Sequence, residues 1–290
     1  MVFEQIINGL ILGSTYSLIA LGYTMVYGIL EMINFAHGEI YMFGAFTGLW
    51  LTLTTNLPFV ATFLLASLAA AALGFVIERV AYRPLRRSSR ITVLISAIGV
   101  SIFLQNLMLI VAGPQTRDFP AKLSIVTWHL PGGVAFTSLQ AYILLLVVVL
   151  MAGLQLLVQR TKIGQAMRAV AQDREVARLM GIPIDKVISF TFVLGSGLGA
   201  VAGIIIGVYF NSVDPLMGML PGLKGFVAAV LGGIGSIPGA MLGGLILGFA
   251  EVAGTIYMSS YKDAIAFCFL VLILLIKPSG ILGRSLQEKV

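Results

Sequence analysis

Charged residues are scarce in this chain, and their scarcity excludes a soluble protein. Only 10% of the 290 residues are charged, while 59% are hydrophobic, and the mean hydropathy is +1.02. A soluble domain carries roughly a quarter charged residues. The composition therefore indicates a protein that lies within a lipid bilayer, with membrane lipid as its surroundings.

Cysteine and histidine are almost absent, which narrows the possible chemistry. Cys268 is the single cysteine, so no disulfide can form within the chain. With only His37 and His129 available, a histidine-based metal site is not expected, and no cofactor is predicted. The sequence also lacks G-x-x-x-x-G-K-[ST], HExxH and a nucleophile elbow. No enzymatic activity is predicted, and any ATP hydrolysis that drives this protein would occur on another chain.

Long apolar segments account for most of the chain. About eight of them reach or approach the roughly 20 residues that cross a bilayer. No strand is predicted, so we expect an all-α, polytopic helical membrane protein in which residues 1–290 form a single transmembrane domain. The glycine-rich run Gly232–Gly239 is predicted to interrupt one segment, as a break or a re-entrant hairpin, because Ser236 and Pro238 resemble a helix start.

The basic residues indicate how the chain is oriented. The net charge is +6, and most of the lysines and arginines lie beside apolar segments, in the loops Arg79–Arg90 and Arg160–Lys186. Such residues mark the cytoplasmic side of a membrane protein, so both loops are predicted to face the cytoplasm and Pro114–Thr137 the outside. The positive charge is therefore explained by topology, and no nucleic-acid partner is predicted.

Three polar residues lie close together at the start of the second apolar segment. Asn34, His37 and Glu39 stand in the otherwise apolar run Ile33–Ala45. Because polar groups within hydrocarbon are costly, these residues are candidates for the translocation pathway, at its cytoplasmic end or facing a neighbouring subunit. The alternative is structural, with Asn34 capping a helix and the other two at the membrane interface.

A second polar pair, Gln105 and Asn106, lies in the fourth apolar segment. Amide side chains at such positions hydrogen-bond to neighbouring helices or line a water-filled pore. Both residues are therefore further candidates for the pathway.

Glycine recurs every fourth residue along one segment. Gly195, Gly199, Gly203 and Gly207 would share one face of a helix, where small residues let two backbones approach closely. We interpret this stripe as a helix-packing surface within the chain, or alternatively as a surface that lies at a seam between subunits or moves during transport.

The cytoplasmic loop 160–186 contains a helix-favouring sequence. Residues 164–181 (GQAMRAVAQDREVARLMG) predict one short amphipathic helix, which Gly181 and Pro183 would end. Arg174 and Arg178, four residues apart, lie on its charged face. Such a helix is suited to dock into a groove on a cytosolic partner, or it only keeps the loop inside as a charged anchor.

Several of these motifs resemble those of one family. The run Ile33–Ala45 (INFAHGEIYMFGA), the tripeptide Gly181-Ile182-Pro183 and the run Gly232–Ala240 (GGIGSIPGA) are similar to those of permease subunits of ABC importers for branched-chain amino acids. The resemblance covers nearly the whole chain. In addition, Glu175-Val176-Ala177 followed by Gly181 resembles the EAA-x-x-x-G motif, although Val176 replaces an alanine and the closing Ile-x-Leu-Pro is absent.

This resemblance implies a permease of a bacterial-type inner membrane that forms the translocation pathway of an ATP-driven importer for leucine, isoleucine and valine. The implied partners are a second permease subunit (identical or paralogous), two cytosolic ATPases and an extracytoplasmic substrate-binding protein. The coupling loop to the ATPases would contain Arg174, Glu175, Ala177, Arg178 and Gly181. The alternatives are an ABC permease for urea or another small polar solute, and an ion-coupled secondary transporter with His37 and Glu39 as a relay.

Overall fold

The computed structural model describes residues 2–86, 88–120, 124–130, 134–257, 262–277 and 279–283. Helices dominate this part of the chain, as the all-α prediction required. In chain order they are α1 (Val2–Leu30), α2 (His37–Thr54), α3 (Phe59–Ile77) continued by a π-helical turn (Glu78–Tyr82), α4 (Arg90–Ala112), α5 (Ser138–Arg160), α6 (Lys162–Gln172), α7 (Arg174–Leu179), α8 (Ile184–Tyr209), α9 (Met219–Gly232), α10 (Ile237–Tyr257) and α11 (Lys262–Ile276).

The described residues do not confirm the predicted number of helices that cross a membrane. Within the described residues six helices are long and apolar enough: α1, α3 with its π-helical turn, α4, α5, α8 and α10. α9 has 14 residues, or about 21 Å at 1.5 Å per residue, and falls short of a bilayer core of about 30 Å. The polytopic helical membrane fold is thus confirmed, whereas the count of about eight spans is not.

Two helices form the centre of the bundle. In both α1 and α8, 78% of an apolar stretch of 18 residues is buried within the chain. The corresponding share is 22% in α4 and 28% in α5. α8 packs against α1, α2 and α3, and α1 also packs against α9 and α10. The outer helices α3, α4 and α5 expose apolar side chains, which is the arrangement expected where lipid or a second subunit covers them.

The glycine-rich segment is broken where the sequence predicts. α9 ends at Gly232, Gly233 and Gly235 adopt φ values of 102° and 90°, and α10 begins at Ile237. The Ser236 hydroxyl accepts a hydrogen bond from the Gly239 amide (3.2 Å), which caps the new helix. Gly232 lies against Gly239 and Gly243 lies against Ala228, so α9 and α10 form an antiparallel hairpin.

Short strands occur between α4 and α5 and between α8 and α9, and the prediction that the chain has none is wrong. β1 (Arg117–Asp118) pairs with β4 (Ser212–Val213), and β2 (Thr127–Leu130) pairs with β3 (Val134–Thr137), both antiparallel. Two-residue strands carry no periodicity that a sequence could reveal, because their pairing is set by contacts between distant segments. The first pair joins the loop after α4 to the chain between α8 and α9.

Candidate functional site

A cavity of about 200 Å³ lies where the N-terminal ends of α2 and α9 meet. Gly38 and Glu39 line it from α2, Gly218 and Gly222 from the start of α9, and Ser101 from α4. A Cβ atom on Gly222 would lie 2.8 Å from the Gly38 Cα atom, so these two backbones are in direct contact. Aromatic and aliphatic side chains complete the wall: Tyr23, Phe35, Ile98, Met219, Leu223 and Phe226.

This cavity lies near the middle of the bundle. The His37 ring is wedged between α1, at Gly22, and α8, at Gly199, where a Cβ atom would be 3.1 Å from the His37 Cε1 atom. Both glycines lie well inside their helices, so His37 sits at mid-depth. The chain reaches this depth because it leaves the helical conformation after Leu30, with Glu31 at a φ of 53°. The position of the three polar residues at the cytoplasmic end of a pathway, or facing a neighbouring subunit, stays a prediction.

Glu39 carries the polar group that faces the cavity. The residue is only 3% exposed. Its Oε1 atom accepts a hydrogen bond from the Ser101 hydroxyl (3.2 Å), whereas Oε2 has no hydrogen-bond partner among the described residues. A buried carboxylate oxygen without a partner is costly, so this arrangement favours a ligand or water that supplies a donor.

Asn34 and His37 do not line the cavity but contact residues of neighbouring helices. The Asn34 Oδ1 atom accepts a hydrogen bond from the Tyr82 hydroxyl (2.9 Å), which joins this loop to the π-helical turn. α2 begins after Ala36 without a side-chain cap, so the alternative that Asn34 caps this helix is wrong. The His37 ring meets the Tyr23 ring edge-on at 4.8 Å, and its Nε2 atom has no partner among the described residues.

The structure does not bring Gln105 and Asn106 into the cavity. Asn106 is exposed, and its Nδ2 atom donates to the Ile102 carbonyl of the same helix (2.8 Å). Gln105 is half-buried and does not line the cavity. Ser101, one turn earlier on α4, is the residue that reaches Glu39. The sequence analysis missed it, since a single serine in an apolar helix usually bonds to its own backbone.

The glycine stripe of α8 lies inside the chain. Gly195 faces Gly22 of α1, Gly199 faces His37, and Gly203 faces the Tyr41 backbone of α2. Gly207, near the C-terminal end of α8, faces Phe119 and Val213. The stripe thus holds α8 against α1 and α2 and fixes the position of the residues around Glu39.

A buried ion-pair cluster on the opposite face of α9 was also missed. Lys224 lies 2.7 Å from the Glu251 carboxylate of α10 and 2.6 Å from the Asp263 carboxylate of α11. The Tyr16 hydroxyl of α1 donates to Glu251 (2.7 Å). Lys224 and Glu251 are the only charged residues between 215 and 261, and that isolation is the signal that could have paired them.

The loop 160–186 contains two helices where one was predicted. Asp173 separates α6 from α7, because its carboxylate accepts hydrogen bonds from the Glu175 and Val176 amides (2.8 and 3.0 Å) and caps α7. α7 ends as predicted, with Gly181 at a φ of 77°. The Ile182 amide then bonds to the Ala177 carbonyl (3.0 Å), which completes a Schellman motif.

The residues of this loop have different surroundings. Ala177 is buried, whereas Glu175 and Arg178 are exposed. Arg174 donates two hydrogen bonds to the Ile29 carbonyl at the end of α1 (2.7 and 3.1 Å), and partial burial lowers the pKa of its guanidinium. α7 is thereby fastened to the central helix of the bundle, while apolar side chains project from its free face: Val176, Leu179 and Met180 are 53%, 86% and 77% exposed.

Comparison with known proteins gives matches over almost the whole chain. The family model described as branched-chain amino acid transport system / permease component matches residues 5–275. The high-affinity branched-chain amino acid transport system permease protein LivH of Salmonella typhimurium is 46% identical over 99% of this chain and 97% of its own length. BraD of Pseudomonas aeruginosa, a permease protein of the same description, is 47% identical over the same shares. A probable LivH of Methanocaldococcus jannaschii is 30% identical over 97% of this chain and 92% of its own.

Proposed function

This chain belongs to the family of permease components of branched-chain amino acid transport systems, and from that premise we propose how its residues contribute to transport. It is a permease subunit of an ABC importer for branched-chain amino acids, integral to the inner membrane. The identity of 46 to 47% over nearly full length carries this conclusion. What remains to be assigned is the pathway, the coupling surface and the subunit arrangement.

We propose that the cavity at Glu39 is a transient binding site for the amino acid on its translocation pathway. The unpartnered Oε2 atom of Glu39 is placed to accept hydrogen bonds from the α-ammonium group of the substrate. Because α2 and α9 both begin at this cavity, their N-terminal dipoles favour the α-carboxylate. A zwitterion would thus find a partner for each of its charges.

The walls of the cavity fit a branched aliphatic side chain. Phe35, Ile98, Leu223 and Phe226 are all apolar. A translocation pathway needs a site that is favourable enough to enter and weak enough to leave. One carboxylate among apolar walls meets that requirement better than a site with many fixed hydrogen bonds.

We propose that a second permease subunit packs over this cavity. Ile98, Met219 and Leu223 line it and are 39%, 64% and 38% exposed in the isolated chain. The cavity therefore borders an apolar surface formed by α4 and α9. A pathway between two subunits would be closed on one side by this surface and on the other by its counterpart.

The free face of α7 is the proposed contact with a cytosolic ATPase. Val176, Leu179 and Met180 form an exposed apolar patch in the loop that carries the coupling motif. Arg174 connects this patch to the C-terminal end of α1. A displacement of α7 would therefore be transmitted directly to α1. We propose two such ATPases per transporter, with substrate delivered from the outside by a binding protein.

Replacement of Glu39 by glutamine tests the assignment of the pathway. The amide keeps the size of the side chain and removes its charge, so leucine uptake into proteoliposomes that hold the complete transporter should fall by about tenfold or more. Glu31→Gln is the matched control, because Glu31 is exposed and does not line the cavity. Both variants should still co-purify with the ATPases.

Two outcomes would contradict the assignment. Uptake at the wild-type rate in Glu39→Gln would remove Glu39 from the pathway. Equal losses of uptake in Glu39→Gln and Glu31→Gln would show a general effect of charge.

A further inference from the structure

A second cavity, of about 770 Å³, lies between the cytoplasmic end of α3 and the start of α8. Four cationic side chains line it: Arg79, Arg83, Arg178 and Lys186. Asp185 is the one acidic residue in its lining. The cavity thus holds a surplus of positive charge, which the proposed transport of a zwitterion does not use.

The acidic residue does not neutralise this surplus. Asp185 already pairs with Arg83 (2.7 Å) and with Arg86 (2.7 Å). Among the residues that the structure describes, no carboxylate lies within ion-pair distance of Arg79 or Lys186. These cations are therefore available to an anion from outside the chain.

The cavity changes from polar to apolar in the direction of the membrane. Phe75 on α3 and Phe190 on α8 line its membrane side, while Lys186 belongs to the loop side. The apolar wall continues over the outer surface of α3 and its π-helical turn, where Val76 and Val80 are 51% and 70% exposed. Cations at the end of two spanning helices above an aliphatic surface match the order of phosphate and acyl chains in a phospholipid.

We propose that this cavity binds the phosphate group of an anionic phospholipid of the cytoplasmic leaflet, with an acyl chain along Phe75 and Val76. The ATPase contact is a separate surface, since Val176, Leu179 and Met180 do not line this cavity. Arg178 lines the cavity and lies on α7, so a bound lipid would contact the coupling loop.

The test is lipid binding to the complete transporter, measured by native mass spectrometry during titration with phosphatidylglycerol. The double variant Arg79→Gln/Lys186→Gln should bind this lipid about 25-fold more weakly, given roughly a factor of five for each basic group near a membrane surface. Arg160→Gln/Lys162→Gln is the matched control, because it removes the same charge from exposed positions outside the cavity. The charge-preserving variant Arg79→Lys/Lys186→Arg should bind like the wild type.

Several results would overturn the proposal. Equal binding of phosphatidylcholine, or equal losses in the two glutamine variants, would show that the cavity does not recognise an anionic lipid. Displacement of the lipid by millimolar inorganic phosphate would indicate a general anion site. Undiminished lipid binding combined with loss of the ATPases from Arg79→Gln/Lys186→Gln would assign the cavity to the ATPase interface.

Discussion

At the scale of single residues, close backbone contact holds the centre of this bundle together. Gly203 of α8 faces the Tyr41 backbone of α2 so closely that a Cβ atom has no room. Gly203→Ala should therefore destabilise the protein by about 1–3 kcal/mol through overpacking. Thermal unfolding of the purified chain measures this, with Gly153→Ala on α5 as the control, because nothing lies within 4 Å of that position. Equal unfolding temperatures for the two variants would contradict the packing assigned to the stripe.

A second prediction at this scale concerns the ion pair between α9 and α10. Lys224 and Glu251 are 5% and 7% exposed, so removal of one partner leaves a buried charge. Lys224→Met should cost about 3–5 kcal/mol of stability. The double variant Lys224→Met/Glu251→Gln should recover much of that loss, as thermal unfolding would show. If the double variant were less stable than Lys224→Met, the two side chains would not act as a pair.

Single residues were predictable from the sequence where they break a local pattern. Glu39 stands out because a carboxylate in an apolar run is costly wherever the chain folds. Its surroundings were not predictable, since Ser101 and Gly218 lie far along the chain and meet Glu39 only through tertiary packing. Lys224 shows the same limit, because its role depends on Glu251, 27 residues away.

At the scale of elements, the breaks in helices position both proposed sites. The break after Gly232 was predictable because it depends on glycine conformations and on a local serine cap. The division at Asp173 was missed because amphipathic periodicity continues across it, while the cap competes locally with the helix. The start of α9 beside Gly38 was not predictable, since nothing in the sequence near Gly218 fixes its depth.

The end of α7 provides a prediction at this scale. Gly181 has a φ of 77°, and a Cβ atom there would meet nothing within 4 Å, so only backbone strain opposes a side chain. Gly181→Leu should disturb the Schellman motif and weaken the attachment of the ATPases, as co-purification would measure. Gly181→Asn should retain them, because asparagine tolerates this conformation. Full retention in both variants would show that the conformation at the end of α7 is unimportant for docking.

At the scale of the whole molecule, the buried helices α1 and α8 are flanked by α3, α4 and α5. The exposed apolar side chains of these outer helices require contact with lipid or with other subunits. α1 and α8 fix the position of the start of α2, which carries Glu39, within the bundle, and α7 connects to α1 through Arg174. The polytopic helical class was predictable because composition and segment length decide it. The number of spans was not, because α9 is a short helix that begins inside the bundle and its length is set by tertiary contacts.

We propose that this permease moves branched-chain amino acids at the expense of ATP that partner subunits hydrolyse. The most direct test is ATP hydrolysis by the complete transporter in liposomes with its binding protein, titrated separately with leucine, isoleucine, valine, urea and ribose. We expect stimulation by the three branched-chain amino acids and none by urea or ribose. Stimulation by urea or ribose alone, or hydrolysis that no solute changes, would contradict the account.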